Sequence, residues 1–241
     1  MMASVDSIRE QQKTLKSNPE NALPYEEFLK ALEHMPDMAL FGCVDARLPI
    51  SNLGMERNKT LIHRIPGAFI GPRERSGQPE GATIAIALKK GVTDIVVMGH
   101  SDCSAMNCCL KGRGHPDNTD MEEVLDFLAP LEKERTHALH THKGEQKQAR
   151  ALEEAAICES LDNLESHPKL KAAIDAGKVR IHGWLLDVHG ALSKPPQPYI
   201  YEVTDRKNKT FTLMADNEQW VQRVPGPEDK RQAAGRFDRP V

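Results

Sequence analysis

Cys43, His100 and Cys103 are the residues of this 241-residue chain whose types and spacing could do chemistry together. Thiolates and imidazoles are favoured zinc ligands, and a catalytic zinc takes three protein ligands while keeping a fourth position open. His100 and Cys103 form a His-x-x-Cys step that can turn both side chains back on one point, and Cys43 supplies a distant third corner. Two thiolates and a neutral imidazole would cancel the charge of the ion. Taken alone, however, such a pair also arises by chance, and a cysteine after a strand is often a packing thiol.

Asp45 and Arg47 follow Cys43 at steps of two. An extended backbone would point all three the same way. A carboxylate there could accept a hydrogen bond from hydroxide on the metal, and Arg47 would keep it ionised through a charge-assisted pair. The bland reading of Asp45 and Arg47 is an exposed ion pair worth about 0–1 kcal/mol. With a metal at neutral pH, hydroxide in the open position suits attack on a small electrophilic carbon, most simply carbon dioxide.

These side chains need elements to carry them. Met38 to Val44 is a short apolar run that emerges into Asp45-Ala46-Arg47, as a buried strand does when it enters a loop. Thr60 to Ile65 is a second such run, stopped by Pro66-Gly67. Glu80 to Lys90 is rich in Ala, Ile and Leu before Gly91 and predicts a helix, and Ile95 to Gly99 predicts a strand. Strand, crossover and strand imply an α/β fold: a mainly parallel central sheet flanked by helices, with ligands at the carboxyl edge of the strands. Cys43 and the His100 to Cys103 step both fall on that edge.

Farther on, residues 111–145 read as a polar surface excursion around a short helix near Met121 to Leu131. A long helix is expected from about Gln146 to Glu165, another between Ser166-His167-Pro168 and Gly177, and a strand from Val179 to Val188. The expected organisation is an N-terminal helical arm over 1–36, a zinc-binding α/β catalytic domain over 37–192, and an extension over 193–241. The arm has an interrupted amphipathic pattern and no core of its own. In the extension, a Pro-rich breaker at 194–198 precedes a β-hairpin of Tyr199 to Val203 and Thr210 to Met214, followed by a loose charged tail.

Composition narrows the function classes. A formal net charge of −3 with 28% charged residues leaves no basic excess for a nucleic-acid partner. No apolar run approaches the roughly 20 residues of a membrane span, and the start lacks the order of a signal peptide, so a cytoplasmic protein is expected. Five cysteines are an odd number without the density of a disulfide scaffold. Cys108, Cys109 and Cys158 read as packing thiols, and His137, His140 and His142 as a solvated cluster.

Phe41-Gly42-Cys43-Val44-Asp45-Ala46-Arg47 resembles the Cys-x-Asp-x-Arg motif of β-carbonic anhydrases, and Gly99-His100-Ser101-Asp102-Cys103 resembles their Gly-His-x-x-Cys. His63-Arg64, Glu80 to Ile84 and His182-Gly183-Trp184 are similar to further landmarks, so the resemblance spans about residues 25 to 190. It implies one zinc per subunit on Cys43, His100 and Cys103, reversible hydration of carbon dioxide to bicarbonate, and an assisting Asp45–Arg47 pair. It also implies a homodimer, or a higher homo-oligomer, built by exchange of N-terminal helices, and substrate-facing positions at His34, Arg64 and Gly67.

Three features depart from the family pattern: His34 where a glutamine is common, Ile65-Pro66-Gly67 after Arg64, and an acid, Asp102, before the second cysteine. These leave the ligands intact but alter the pocket wall. Two alternatives therefore stand beside the hydration reading. One is hydrolysis of carbonyl sulfide or carbon disulfide on the same scaffold; the other is a noncatalytic scaffold protein stabilised by zinc.

Overall fold

The computed structural model describes residues 13, 17, 35–48, 50–53, 55, 59–74, 78–188 and 199–214. The chain divides into two compact units, Met1–Met35 and Pro36–Val241, and every element named below belongs to the second. The expected arm, the Pro-rich breaker and the charged tail lie outside the described residues, apart from isolated positions in the arm.

The first strand, β1 (Met38–Cys43), is followed by β2 (Thr60–Ile65), and helix α1 (Gln78–Lys90) leads to β3 (Asp94–His100). Then come α2 (Ser104–Lys111), α3 (Glu122–Phe127), α4 (Glu132–Thr141), the long α5 (Glu145–Glu165) and α6 (Pro168–Asp175). Strand β4 (Arg180–Leu186) and the hairpin β5 (Ile200–Asp205) and β6 (Thr210–Leu213) complete the series. The strands form one six-stranded sheet in the order β2-β1-β3-β4-β5-β6. Pairing is parallel from β2 through β4 and antiparallel from β4 to β6, so the hairpin extends the sheet.

This order has one consequence for function. From β1 the chain goes to β2 on one side, then returns to β3 on the other, which makes the carboxyl ends of β1 and β3 the switch point of the sheet. In open α/β sheets, loops diverge at such a point and leave a crevice. Cys43 is the last residue of β1 and His100 the last of β3.

Alternating residues bury both sheet faces. Ala39, Phe41, Ile95, Val97 and Leu185 point to the larger core, under Leu152, Ile157 and Leu161 of α5. Leu40, Val96, Met98, Trp184 and Leu186 form a second cluster with Leu48, Ile50 and Met55. Central strands covered on both sides read as continuous apolar runs, which is why β1 and β3 are legible. Helix α5 sits close to the sheet at Gly183, where an added Cβ would lie 2.7 Å from Val203 Cγ2 and 2.8 Å from both Ile157 Cγ2 and Leu161 Cδ1.

Residues 111–145 are more structured than the sequence pattern suggests. Besides a short helix, they contain α4, and Leu128, Leu131 and Ala138 are buried. Glu134 is buried too and pairs with Lys209 of the hairpin turn. Polar residues occupy most of α4, so it shows no broad apolar stripe from which a helix could be read.

At the other end of the sheet, His182 on β4 bridges two strands. Its Nε2 lies 3.0 Å from Asp94 Oδ1 and its Nδ1 3.2 Å from Glu202 Oε1. Arg180 Nη2 also donates to Asp94, at 2.7 Å, and Trp184 Nε1 donates to Glu202 at 3.3 Å. Burial disfavours the His182 cation, but the two facing carboxylates outweigh it and raise its pKa. Burial likewise disfavours the Asp94 anion, yet His182, Arg180 and Thr93 hold it down to about 2.

Two outcomes are expected. Gly183→Ala should cost about 1–3 kcal/mol through overpacking, seen as a lower urea midpoint; an unchanged midpoint would show that α5 does not lie this close. The His182 contribution is fully present below its unfolded pKa of about 6.5 and is lost as pH rises through the higher folded value. Wild type should therefore lose more stability than His182→Gln as pH rises above about 6.5, and parallel melting profiles would refute that sign.

Candidate metal centre

Cys43 and Cys103 are each 2% exposed, and their sulfurs lie 3.8 Å apart. That separation is far from the roughly 2.05 Å of a disulfide. It matches the edge of a tetrahedron with metal–sulfur bonds of about 2.3 Å, which is about 3.8 Å. One ligand atom from each of Cys43, His100 and Cys103 falls within 4.8 Å of the others, and among the described residues this is the cluster able to hold a metal.

The imidazole is presented in a suitable form. His100 Nδ1 lies 3.0 Å from the Ser101 carbonyl oxygen, which can only accept, so Nδ1 carries the proton and donates. Nε2 is then the free lone pair. It is fully buried and has no hydrogen-bond partner. A buried, unpartnered nitrogen is costly, and a divalent ion between the sulfurs would satisfy it. Donor chemistry, spacing and the orphaned nitrogen all fit zinc.

The electrostatics point the same way. The neighbouring Cys103 thiol holds the Cys43 thiol well below the ordinary range, against the cost of burial, with His100 and the Asp45 backbone N–H adding to the effect. Cys103 is pushed up by that same partner and by burial. Burial disfavours a charged His100, but the Cys43 sulfur, the Ser101 carbonyl and the Asp45 carboxylate outweigh it and raise its basicity. Surroundings that hold a proton in this way also attract a divalent cation.

Asp45 and Arg47 meet, but through a turn and not along an extended strand. After Cys43 the chain bends: Leu48 N donates to the Asp45 carbonyl at 3.2 Å, and Arg47 N donates to Asp45 Oδ1 at 2.8 Å. This is the self-bonding that Asp favours in turns, and it corrects the extended geometry expected from the alternation. The guanidinium then closes on the same carboxylate, with Nε 3.1 Å from Oδ1 and Nη2 2.8 Å from Oδ2. These bonds from Arg47 hold Asp45 down to about 2, although burial opposes them. Asp45 Oδ2 stands 3.7 Å from His100 Nε2, beside the triangle of candidate ligands.

Arg64 lies under this turn. Its Nη1 donates to the carbonyls of Cys43 at 2.8 Å and Asp45 at 3.2 Å, and its Nη2 donates to that of Leu48 at 3.1 Å. The family resemblance implies a substrate-facing arginine; in the structure Arg64 is exposed and its two terminal nitrogens donate to the loop backbone. Gly67 is buried in the turn after β2 with φ +63°, where a Cβ would overlap Met106 Cε. His34 lies outside the described residues.

Several supporting groups escaped the sequence reading. Glu153 on α5 accepts from the Cys103 backbone N–H at 3.1 Å, and burial pushes its carboxyl up to about 7. Ser101 Oγ donates to Asp187 Oδ1 at 3.0 Å and accepts from Val188 N at 3.0 Å, tying the His100 turn to the end of β4. A signal existed for Glu153: it shares the buried stripe of α5 with Ala149, Leu152, Ala156 and Ser160. A cleft of about 900 Å³ reaches this turn and is lined by Ser101, Asp102, Glu153, Asp187, Arg150 and His137. Cys108, Cys109 and Cys158 are buried elsewhere as free thiols, and burial pushes Cys109 up to about 11 and Cys158 up to about 12.

Comparison with known proteins covers the same region of the chain. A family model described as carbonic anhydrase matches residues 38–192. A carbonic anhydrase of Pseudomonas aeruginosa is 29% identical over 168 residues, covering 66% of this chain and 72% of the relative. Beta carbonic anhydrase 1 of Caenorhabditis elegans is 28% identical over 238 residues, covering 81% and 85%. Among solved structures, the beta-carbonic anhydrase CcaA superposes with a TM-score of 0.71 at 21% identity, over 88% of this chain and all of that one. A tetrameric beta-carbonic anhydrase from Sordaria macrospora gives 0.61 at 19% identity, over 83% and 94%.

Metal binding is open to direct measurement. Zinc added to metal-free protein should raise the melting temperature and saturate near one ion per chain, whereas Cys103→Ser should show little shift. Equal stabilisation of the two proteins would mean that the ion binds elsewhere.

Proposed function

The chain belongs to the carbonic anhydrase family, in its β class, and from that premise we propose that it catalyses the reversible hydration of carbon dioxide to bicarbonate at one zinc per subunit held by Cys43, His100 and Cys103. One observation carries the reading: an orphaned imidazole nitrogen faces two sulfurs 3.8 Å apart at the switch point of the sheet. Zinc, when bound, supplies the Lewis acidity that lets water lose a proton near neutral pH.

The remaining roles belong to the chain. Asp45 stays ionised at neutral pH because Arg47 grips it, so it is an acceptor there. Beside the ligand triangle, it accepts a hydrogen bond from the reacting water and directs the oxygen lone pair toward the carbon. The Ser101 carbonyl fixes the His100 tautomer, and Glu153 fixes the Cys103 backbone. Arg64 keeps the Cys43–Leu48 turn in place through its carbonyls, a positioning role, and Gly67 gives room to Met106.

We assign catalysis to residues 37–192, with 1–36 as an arm and 193–241 as an extension, and assembly to a homodimer or larger homo-oligomer in the cytoplasm. The Sordaria relative is tetrameric, and among the described residues no helix is long and apolar enough to cross a membrane.

Asp45→Asn tests the assignment because it preserves size and removes the charge. Zinc content should be unchanged while kcat/KM for carbon dioxide hydration falls by about 100-fold or more. Retained activity would remove Asp45 from the chemistry. Wild type should release little sulfide from carbonyl sulfide or carbon disulfide; fast release with slow hydration by wild type would reassign the substrate.

A further inference from the structure

Arg47 grips a second carboxylate besides that of Asp45. Its Nη1 donates to Asp102 Oδ2 at 2.9 Å, and its Nη2 donates to the Asp102 carbonyl at 2.8 Å. Asp102 stands between His100 and Cys103 in sequence, so these bonds tie the turn after β3 to the turn after β1. Cys43 adjoins the first turn, and His100 and Cys103 flank the second.

Asp102 is itself held in place. Its backbone is left-handed, with φ +56°, and Asn107 Nδ2 on α2 donates to Oδ1 at 3.3 Å, leaving Oδ2 facing Arg47. Arg47 needs such an anchor. Its side chain is 41% exposed, and an exposed pair two residues apart contributes little order by itself. With Nε on Asp45, Nη1 on Asp102 and Nη2 shared between them, the planar fork has a single orientation. The acid before Cys103 therefore lies on the pair that flanks the candidate ligands.

We propose that Asp102 is a positioning residue of the hydration reaction: it fixes the Arg47 guanidinium, and through it the Asp45 carboxylate, while clasping the two ligand-bearing turns together. This rests on the metal site and Asp45–Arg47 roles proposed above. A merely structural Asp102 would shape its own turn and act independently of Arg47.

The test compares wild type, Asp102→Gly, Asp102→Asn, Arg47→Ala and the Asp102→Gly/Arg47→Ala double variant as zinc-loaded proteins. Glycine adopts φ +56° without strain, so Asp102→Gly removes the side chain but not the turn. Two readouts are taken: kcat and KM for carbon dioxide, and the rate of zinc release to a chromogenic chelator. Asp102→Gly should keep its zinc stoichiometry, lose about tenfold in kcat with KM within about twofold, and release zinc about tenfold faster. Asp102→Asn, which keeps an acceptor oxygen, should fall between it and wild type. In the Arg47→Ala background, Asp102→Gly should change neither readout further.

Asp102→Gly matching wild type, or multiplying its effects with those of Arg47→Ala, would overturn the proposal while leaving the metal-site reading intact. Wild type that takes up no zinc would overturn both.

Discussion

His100 Nε2 is buried with no hydrogen-bond partner, facing two sulfurs at the one place where the strand order reverses. A buried lone pair without a hydrogen-bond partner carries a desolvation cost. The surrounding design becomes intelligible once a cation is put in its path. Strand order brings β1 and β3 side by side, their carboxyl ends bring Cys43 and His100 together, and the short step to Cys103 closes the triangle.

Around that triangle, neighbouring turns are held by charged side chains. Arg64 binds the carbonyls of Cys43, Asp45 and Leu48; Glu153 binds the Cys103 N–H; Asp187 holds Ser101. Loops are usually the mobile part of an α/β protein, and here these bonds stiffen them. Rigidity would have a use in the proposed chemistry: a carboxylate misplaced by about 1 Å would no longer aim the reacting oxygen, with a penalty that can reach about 100-fold. The apolar strands beneath give these loops a fixed floor, with α5 packed tightly enough at Gly183 that even a methyl group meets neighbouring side chains.

The parts of this arrangement visible in the sequence are those with a period or a stop signal. β1, β2 and β3 show as apolar runs ending at polar loops, the hairpin as alternating Tyr199, Tyr201 and Val203 against Phe211 and Leu213, and α1 by its Gly91 stop. The convergence of Cys43, His100 and Cys103 follows from placing both motifs at carboxyl ends of neighbouring strands. Helix α4 stayed hidden because its buried contacts include a glutamate and an alanine within a polar segment. The turn at Asp45 was hidden by its own side chain, whose bond to Arg47 N competes with extension. Contacts across the fold, such as Arg47 to Asp102 and Glu153 to Cys103, span 55 and 50 residues and leave no local pattern to read.

Zinc-edge X-ray absorption on the purified protein addresses the central claim most directly, because it counts the atoms around the ion. Two sulfurs at about 2.3 Å, one imidazole nitrogen at about 2.0–2.1 Å and one further light atom are expected, with one sulfur lost in Cys43→Ser. A shell without sulfur, a sulfur count unchanged by Cys43→Ser, or folded protein that takes up no transition metal would contradict the account.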